Sequence, residues 1–274
     1  MPELPEIEVL KRSLAPRLTG RRIERVEALA PALREPLDPR VLARRLAGRA
    51  VIELRRRSKY LLIDVEGGST LVVHLGMSGR LTLVPGGTPR EPHEHLALHL
   101  DSGERLRLRD PRRFGVAFAA PTAGLEEDPH FVHLGPEPLD PPLDGAALAG
   151  LAAGSRAPVK AFLMDATRLV GVGNIYATEA LFAAGIHPAR SVARISRARW
   201  AALAAAVVEV LERAIRAGGT TLNDFADGGG NAGYFQVELA VYGREGGPCP
   251  RCGAAVRRLV QSNRSSFYCP RCQR

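Results

Sequence analysis

The chain has 274 residues, of which 45% are hydrophobic and 24% are charged, so it suits one large or two modest folded domains. No stretch approaches the ~20 consecutive apolar residues of a membrane span, and the acidic start is unlike a signal peptide. We therefore expect a cytoplasmic protein without a membrane partner. The net charge of +9 favours a polyanionic partner, with DNA, RNA and acidic lipid left open at this point.

The first half of the chain shows one helical pattern followed by short strand patterns. Apolar residues recur at helical spacing over 3–18, and Gly20 follows them. From about residue 51, alternating or apolar runs predict strands at 60–65, 70–75, 80–84, 95–100, 105–109 and 116–119. Strands of this length and spacing indicate an antiparallel sandwich or barrel.

The second half becomes helical after a proline-rich linker. Four prolines within 135–142 exclude a regular helix or strand there. Helices are predicted near 144–152, 158–166, 175–184 and 197–217, and a cysteine-bearing segment starts near 238. The sequence thus predicts an α+β protein with an N-terminal helix and antiparallel β-sandwich at 1–133. This domain is followed by a predicted linker at 134–143, a helical domain at 144–236 and a four-cysteine finger at 237–274.

Pro2 is a candidate nucleophile. A small residue after Met1 favours removal of the initiator methionine, which would leave the secondary amine of proline as the N-terminus. An α-amino group titrates near ~8, so part of it is unprotonated at neutral pH and can condense with an aldehyde to give an iminium. Glu3 adds a carboxyl group that can transfer protons beside this amine. A frayed terminus with a chance proline is the alternative.

The chain uses lysine sparingly, at Lys11, Lys59 and Lys160, while its other basic residues are arginine. Where arginine replaces lysine whenever charge alone is needed, a retained lysine indicates a need for its compact, deprotonatable amine. Lys59 and Lys160 are therefore candidate site residues. Lys11 lies on a predicted surface of the first helix and carries no such expectation.

The four cysteines form two CxxC knuckles near the C-terminus, namely Cys249, Cys252, Cys269 and Cys272. In a cytoplasmic protein this spacing predicts one tetrahedral Zn²⁺ site with four thiolate ligands. Four protein ligands leave no open position for water, so the zinc is expected to be structural. The hairpin between the knuckles carries Arg264 among small polar residues, which suits a contact with phosphate.

Eight motifs occur in the order found in one known family, and the chain resembles the formamidopyrimidine-DNA glycosylases over its whole length. These base-excision enzymes share a fold with endonuclease VIII, and the resemblance implies a C-terminal helix–two-turns–helix domain with a zinc-finger β-hairpin. The motifs are PELPE at 2–6, RSKYLL at 57–62, HLGMSG at 74–79, DPRRFG at 110–115, GPEPL at 135–139, GVGNIYA at 171–177, VYGR at 241–244 and the terminal finger.

The resemblance implies roles for the candidate catalytic residues. Pro2 matches the nucleophile that attacks C1′ of a damaged nucleotide, and Glu3 matches the neighbouring acid/base residue. Lys59 matches an essential lysine that contacts the lesion or phosphate and donates protons. Arg264 matches the finger arginine, although Ser265-Ser266 follows it where the family often has Gly-Thr or Ala-Thr. The implied product is a one-nucleotide gap made by β,δ-elimination.

The resemblance also implies a DNA-contacting set in damaged duplex DNA. A flexible thioether, a guanidinium and a phenyl ring match the residues that fill the hole left by an extruded base, namely Met77, Arg112 and Phe114. Further matches to DNA contacts are His74, His93, Lys160, Asn174 and Tyr242. Asn174 follows GVG and starts a predicted helix, where free N–H groups can bind phosphate, although ordinary helix capping is the alternative. The loop 220–234 matches one that closes over an extruded base.

Two alternatives to an oxidised-purine glycosylase stay open. An endonuclease VIII-like enzyme would act on oxidised pyrimidines, but Leu4 and the Met77, Arg112 and Phe114 set favour the purine branch. A non-catalytic binder of damaged DNA would need only the basic charge, the helix terminus and the finger. Retention of Pro2, Glu3 and Lys59 favours an enzyme. We expect a monomer of a bacterial cytoplasm, associated with the nucleoid when bound to DNA.

Overall fold

The structure is a computed structural model, and it describes residues 2–29, 33–220 and 238–274. The described residues form two compact units, one of 2–132 with 217–220 and one of 133–216 with 238–274. The sequence-predicted loop 220–234 lies outside the described residues, apart from Thr220. The predicted domain boundaries stay predictions.

The first unit begins with a helix and continues mainly as strands. Helix α1 spans Leu4–Leu18, and its buried face carries Ile7, Leu10 and Leu14, as the helical pattern predicted. The elements that follow are β1 (Ile23–Ala28), α2 (Pro39–Leu46), β2 (Val51–Arg57), β3 (Tyr60–Val65), β4 (Ser69–His74), β5 (Arg80–Pro85), β6 (Glu94–Leu100), β7 (Glu104–Arg109) and β8 (Val116–Pro121).

These strands form two four-stranded antiparallel sheets, ordered β2-β3-β4-β8 and β1-β6-β7-β5. Alternate residues of both sheets point into one apolar core, as expected for period-2 side chains. Ile63 and Val73 enter this core from one sheet, and Leu98 and Leu108 from the other; the stripe of α1 packs with them. The predicted helix and antiparallel sheets are therefore confirmed.

The second unit contains four helices and a hairpin, namely α3 (Gly145–Leu151), α4 (Val159–Leu163), α5 (Asn174–Ala183), α6 (Arg197–Arg216), β9 (Arg257–Gln261) and β10 (Arg264–Tyr268). Helix α4 ends earlier than the predicted 158–166. The side chain of Asp165 accepts hydrogen bonds from the backbone N–H and hydroxyl of Thr167, and this local turn replaces the next helical turn. No helix of the described residues is long and apolar enough to cross a membrane.

Candidate functional site

The start of α1 holds Pro2 and Glu3 in a fixed backbone position. Both residues are buried, and Glu3 is the N-cap of the helix. The Glu3 N–H donates to Glu6 Oε2 at 2.7 Å, in a reciprocal capping box. The second oxygen of Glu6 accepts the Thr220 N–H at 2.8 Å. One buried carboxylate therefore fixes the backbone beside the candidate nucleophile and also binds the residue that precedes 221–237.

Lys59 lies in the tight turn between β2 and β3, and the turn is tied to α1. Arg56 on β2 donates from Nε to Glu8 of α1 at 3.3 Å, and its Nη1 donates to the Ser58 carbonyl at 3.0 Å. Ser58 itself has a left-handed φ of 55°. The Glu8–Arg56–Ser58 contacts thus connect the helix that starts beside Pro2 with the turn that carries Lys59.

His74 lies at the end of β4, paired with Tyr60 across the sheet. Its Nδ1 accepts the Gly76 N–H at 3.1 Å. Burial, followed by the nearby charge of Lys59, lowers the pKa of His74 to about 4. The ring is therefore neutral at pH 7, and the bond at Nδ1 leaves the proton on Nε2, which can donate to a phosphate oxygen.

Met77 and Phe114 are exposed apolar residues on two turns that touch each other. Their exposed fractions are 42% and 45%, and the Arg112 guanidinium lies 4.9 Å from the centre of the Phe114 ring. Gly76 has a φ of +61°, and a Cβ there would come within 2.4 Å of the Phe114 carbonyl carbon. Only glycine permits this close approach of the two turns.

In the second unit, Lys160 joins helix α5 to the hairpin. Its Nζ, on a side chain only 2% exposed, donates to Asn174 Oδ1 at 2.6 Å, Ser266 Oγ at 2.7 Å and the Ser265 carbonyl at 3.1 Å. The Asn174 amide in turn donates to the Tyr242 hydroxyl at 3.2 Å. Lys160 thus holds together the protein segments around Asn174, and the DNA contact that the resemblance implies for it stays a prediction.

The turn of the hairpin presents Arg264 to solvent. Ser262 and Asn263 form its two central residues, with left-handed φ values of 47° and 59°, as in a two-residue hairpin turn. Arg264 follows as an exposed side chain at the start of β10. The serines after Arg264 supply two of the acceptors for Lys160, the backbone carbonyl of Ser265 and the hydroxyl of Ser266, and Gly-Thr or Ala-Thr would offer the same two groups.

Left-handed non-glycine residues of the described chain coincide with the predicted site. Such conformations cost on the order of 1 kcal/mol and concentrate where function needs a particular side-chain direction. Each of them is a predicted site residue or lies within two positions of one: Ser58, His93, Arg113, Ser262 and Asn263. This observation supports the predicted set, whose roles stay predictions.

The four cysteine sulfurs have the geometry of a tetrahedral metal site. All four lie within 4.8 Å of one another, with 3.9 Å between Cys249 and Cys272 and 3.5 Å between Cys252 and Cys269. Zn–S bonds of ~2.3 Å in a tetrahedron separate the sulfurs by about 3.8 Å, so Zn²⁺ fits. Arg251 in the first knuckle donates to the carbonyls of Phe182 and Ala183, which docks the finger onto α5.

Three family models match successive parts of the chain. They are the formamidopyrimidine-DNA glycosylase N-terminal domain over residues 1–117, its H2TH domain over 134–226 and the zinc finger of these enzymes and isoleucyl-tRNA synthetases over 246–274. A formamidopyrimidine-DNA glycosylase of Stenotrophomonas maltophilia is 51% identical over 274 residues, covering 100% of both chains. The chain belongs to the formamidopyrimidine-DNA glycosylase family.

Solved structures of a formamidopyrimidine-DNA glycosylase are similar over the same length. The wild-type Lactococcus lactis enzyme with N7-benzyl-Fapy-dG DNA has a TM-score of 0.90 and 32% identity, covering 100% of both chains. The same enzyme with DNA containing an oxidised pyrimidine has a TM-score of 0.89 and 32% identity, again covering 100% of both chains. The zinc finger and the fold expected from the sequence are thereby confirmed.

Several buried acidic residues of this glycosylase-family chain escaped the sequence analysis. Glu179 on α5 accepts the N–H groups of Ala240, Val241 and Tyr242 at 2.8–3.0 Å, which fixes the backbone of Tyr242. Burial raises the pKa of Glu179 despite these bonds. Glu6, Glu8 and Asp110 have similar supporting positions. One sequence signal could have identified Glu179: it is a charged residue on an otherwise apolar helical face, beside Tyr176 and Phe182.

Proposed function

We propose that this chain is a bacterial base-excision DNA glycosylase with AP-lyase activity, which removes oxidised purines such as 8-oxoguanine and formamidopyrimidines from duplex DNA. The observation that carries the proposal is the full-length relationship to formamidopyrimidine-DNA glycosylases, with Pro2 and Glu3 retained at the capped start of α1. We further propose that it acts as a monomer in the cytoplasm, on nucleoid DNA.

In the proposed reaction, the unprotonated Pro2 amine attacks C1′ and the C1′–base bond breaks, with the base leaving protonated. Ring opening of the sugar gives a C1′ iminium, which draws electrons from C2′. Glu3 removes the C2′ proton, and the 3′-phosphate leaves in β-elimination. Loss of a second proton expels the 5′-phosphate, and hydrolysis of the iminium frees Pro2. The burial and fixed backbone of Glu3 suit it to this proton transfer.

We propose that Lys59 contacts the lesion or an adjacent phosphate and donates a proton, and that His74 donates from Nε2 to phosphate. Three facts support this arrangement. Lys59 lies in the same turn as Ser58, whose carbonyl is hydrogen-bonded by Arg56. The charge of Lys59 helps to lower the pKa of His74, and His74 is therefore neutral. Both side chains lie in the unit that also contains Pro2.

Base extrusion costs a few kcal/mol and leaves a gap in the stack. We propose that Met77 and Phe114 fill this gap and that Arg112 hydrogen-bonds the orphaned base. The proposal is supported by the exposure of Met77 and Phe114 on two turns that pack closely against each other. Soluble proteins rarely expose large apolar residues together without a binding role.

The second unit is proposed to hold the DNA backbone. Asn174 at the start of α5, Tyr242 and Arg264 are assigned to phosphates near the lesion, and His93 of the first unit to another. The N-terminus of α5 and the exposed Arg264 guanidinium both favour negative charge. Zn²⁺, held by Cys249, Cys252, Cys269 and Cys272, would supply structural order to the hairpin and no reactive group.

A second candidate is excision of oxidised pyrimidines, because a solved relative carries DNA with such a lesion. Initial-rate excision from duplexes with 8-oxoguanine, an oxidised pyrimidine or no lesion separates the candidates. We expect the fastest base release and strand cleavage on 8-oxoguanine opposite cytosine. Faster reaction on the pyrimidine would move the enzyme to the other branch, and binding without cleavage of any lesion would support a non-catalytic role.

A further inference from the structure

Asp110 is a fully buried carboxylate that the proposed chemistry does not use. It follows β7 and is 0% exposed. Its side chain and backbone contact the three segments of the first unit that carry Met77, Arg112 with Phe114, and His93.

One oxygen of Asp110 binds the turn that carries Met77. Ser78 Oγ donates to Asp110 Oδ1 at 2.6 Å. The same Ser78 oxygen accepts the Arg112 N–H at 3.2 Å, so it bridges the two turns. A bond this short to a buried carboxylate is stronger than one between neutral groups, and it fixes the residue directly after Met77.

The carboxylate also organises the turn that carries Phe114. Asp110 Oδ2 accepts the Gly115 N–H at 2.8 Å, and Oδ1 accepts the Arg112 N–H at 3.3 Å. Its carbonyl accepts the Arg113 N–H at 3.3 Å. Arg113 has a left-handed φ of 56°, a conformation that a non-glycine residue keeps only when its surroundings enforce it.

The backbone of Asp110 reaches the third segment. Its N–H donates to the His93 carbonyl at 2.9 Å, and His93 has a left-handed φ of 66°. His95 Nε2 donates to the Asp110 carbonyl at 2.8 Å. Asp110 therefore stands at the junction of the turns proposed to enter the DNA stack and the residue proposed to hold a phosphate beside it.

We propose that Asp110 is a positioning residue that holds the Met77 turn and the Arg112–Phe114 turn together as one preassembled wedge. The proposal rests on the proposed function, because a wedge has a use only where a base is extruded from duplex DNA. A wedge ordered before DNA arrives enters the stack without the entropic cost of ordering two separate turns. Asp110 thereby sets the rate of lesion extrusion and the discrimination between bases opposite the lesion.

The substitution Asp110→Asn tests the proposal with little change in volume. Asparagine keeps one acceptor for Ser78 and Arg112, but its NH₂ group faces the Gly115 N–H, so two donors meet. We expect excision of 8-oxoguanine from a duplex to fall about tenfold, the effect of leaving one buried donor without an acceptor. Preference for cytosine over adenine opposite the lesion should fall as well.

Ser78→Ala is the milder variant and keeps the proposal testable should Asp110→Asn fail to fold. It removes the bridge to the Met77 turn and leaves the Gly115 bond intact. We expect a loss of about threefold on the same duplex. Asp64→Asn is the matched control, because Asp64 is a buried carboxylate bonded to Arg55 and Thr70 on the other sheet.

The readout that separates positioning from folding is cleavage of a preformed abasic site in a single strand, which has no base to extrude and no stack to fill. We expect Asp110→Asn and Ser78→Ala to cleave this substrate at the wild-type rate. They should also give a smaller fluorescence rise from 2-aminopurine placed beside the lesion in duplex DNA.

The proposal would be overturned if the variants lost equal activity on the 8-oxoguanine duplex and on the single-stranded abasic site, in proportion to the folded fraction. If Asp64→Asn showed the same losses, the role of Asp110 would be purely structural. Unchanged excision and unchanged fluorescence would overturn it too. A wild-type protein inactive on all lesions and abasic sites would instead refute the proposed function. The two failures are therefore distinguishable.

Discussion

Replacing Lys160 by methionine tests whether this lysine holds the protein together or contacts DNA. The Lys160 ammonium makes three hydrogen bonds of 2.6–3.1 Å, to Asn174, Ser265 and Ser266. Methionine fills a similar volume but offers no donor. Ser266 keeps a bond to Gln261, and Asn174 keeps one to Tyr242, so neither segment loses every contact.

The expected loss of stability follows from these contacts. Three hydrogen bonds from a charged donor at about 1.5 kcal/mol each give about 4.5 kcal/mol. Methionine recovers about 1.5 kcal/mol because no ammonium has to be desolvated. The net decrease in the free energy of unfolding is about 3 kcal/mol, which lowers Tm by roughly 10 °C. Lys160→Arg should not restore the lost stability, because a planar guanidinium cannot place one nitrogen among three acceptors.

The assay pairs thermal unfolding with binding to a duplex that contains an uncleavable abasic analogue. For Lys160→Met, we expect the lower Tm together with about tenfold weaker binding, since Asn174 and the hairpin lose their common anchor. Lys11→Met is the matched control, because Lys11 makes a partly exposed ion pair with Glu8 and should cost less than ~1 kcal/mol. An unchanged Tm with weaker binding would refute the reasoning and indicate that Lys160 contacts DNA.

Three further outcomes are expected. Removal of zinc by a chelator, or Cys249→Ser, should disorder the hairpin and weaken duplex binding and strand cleavage together; normal cleavage after verified zinc loss would contradict this. Because the pKa of His74 is lowered to about 4, folding is stabilised above the unfolded pKa near ~6.5 and this stability is lost as pH falls towards 4. His74→Gln should therefore flatten the dependence of Tm on pH between these two pKa values. An unchanged slope would show that His74 does not contribute to the pH dependence of stability. Gly76→Ala should lower Tm and impair lesion excision, because its Cβ would meet the Phe114 backbone; wild-type Tm would show that the turns can separate.

Periodic burial made much of the fold predictable from the sequence. The stripe of α1 and the alternating strands of the two sheets are long enough to show their patterns. Strand β1 was missed because it is an edge strand whose burial is incomplete and whose sequence is rich in charge. Helix α2 was missed because it has only eight residues, although its two buried leucines, Leu42 and Leu46, are spaced one helical turn apart. Its start is nevertheless marked by Asp38, which caps two N–H groups, and Pro39.

The candidate site was predictable where function requires an unusual residue type in a fixed motif, as for Pro2 and the four cysteines. The supporting residues were not, because a buried Asp or Glu has no sequence signature of its own. Asp110 was visible only as part of DPRRFG, and its contacts with Ser78 and His93 join segments far apart in the chain. Lys160 illustrates the same limit: its retention as lysine indicates a need for an amine, but the acceptors of that amine come from α5 and the hairpin.

The most direct test of the central claim is borohydride trapping of the covalent intermediate, followed by mapping of the modified peptide. Protein with Met1 removed should give an adduct on Pro2, strongest with 8-oxoguanine opposite cytosine. Protein with a blocked N-terminus should still bind the duplex but give no adduct. An adduct on Lys59 or elsewhere, or none at all while lesion DNA stays bound, would contradict the account.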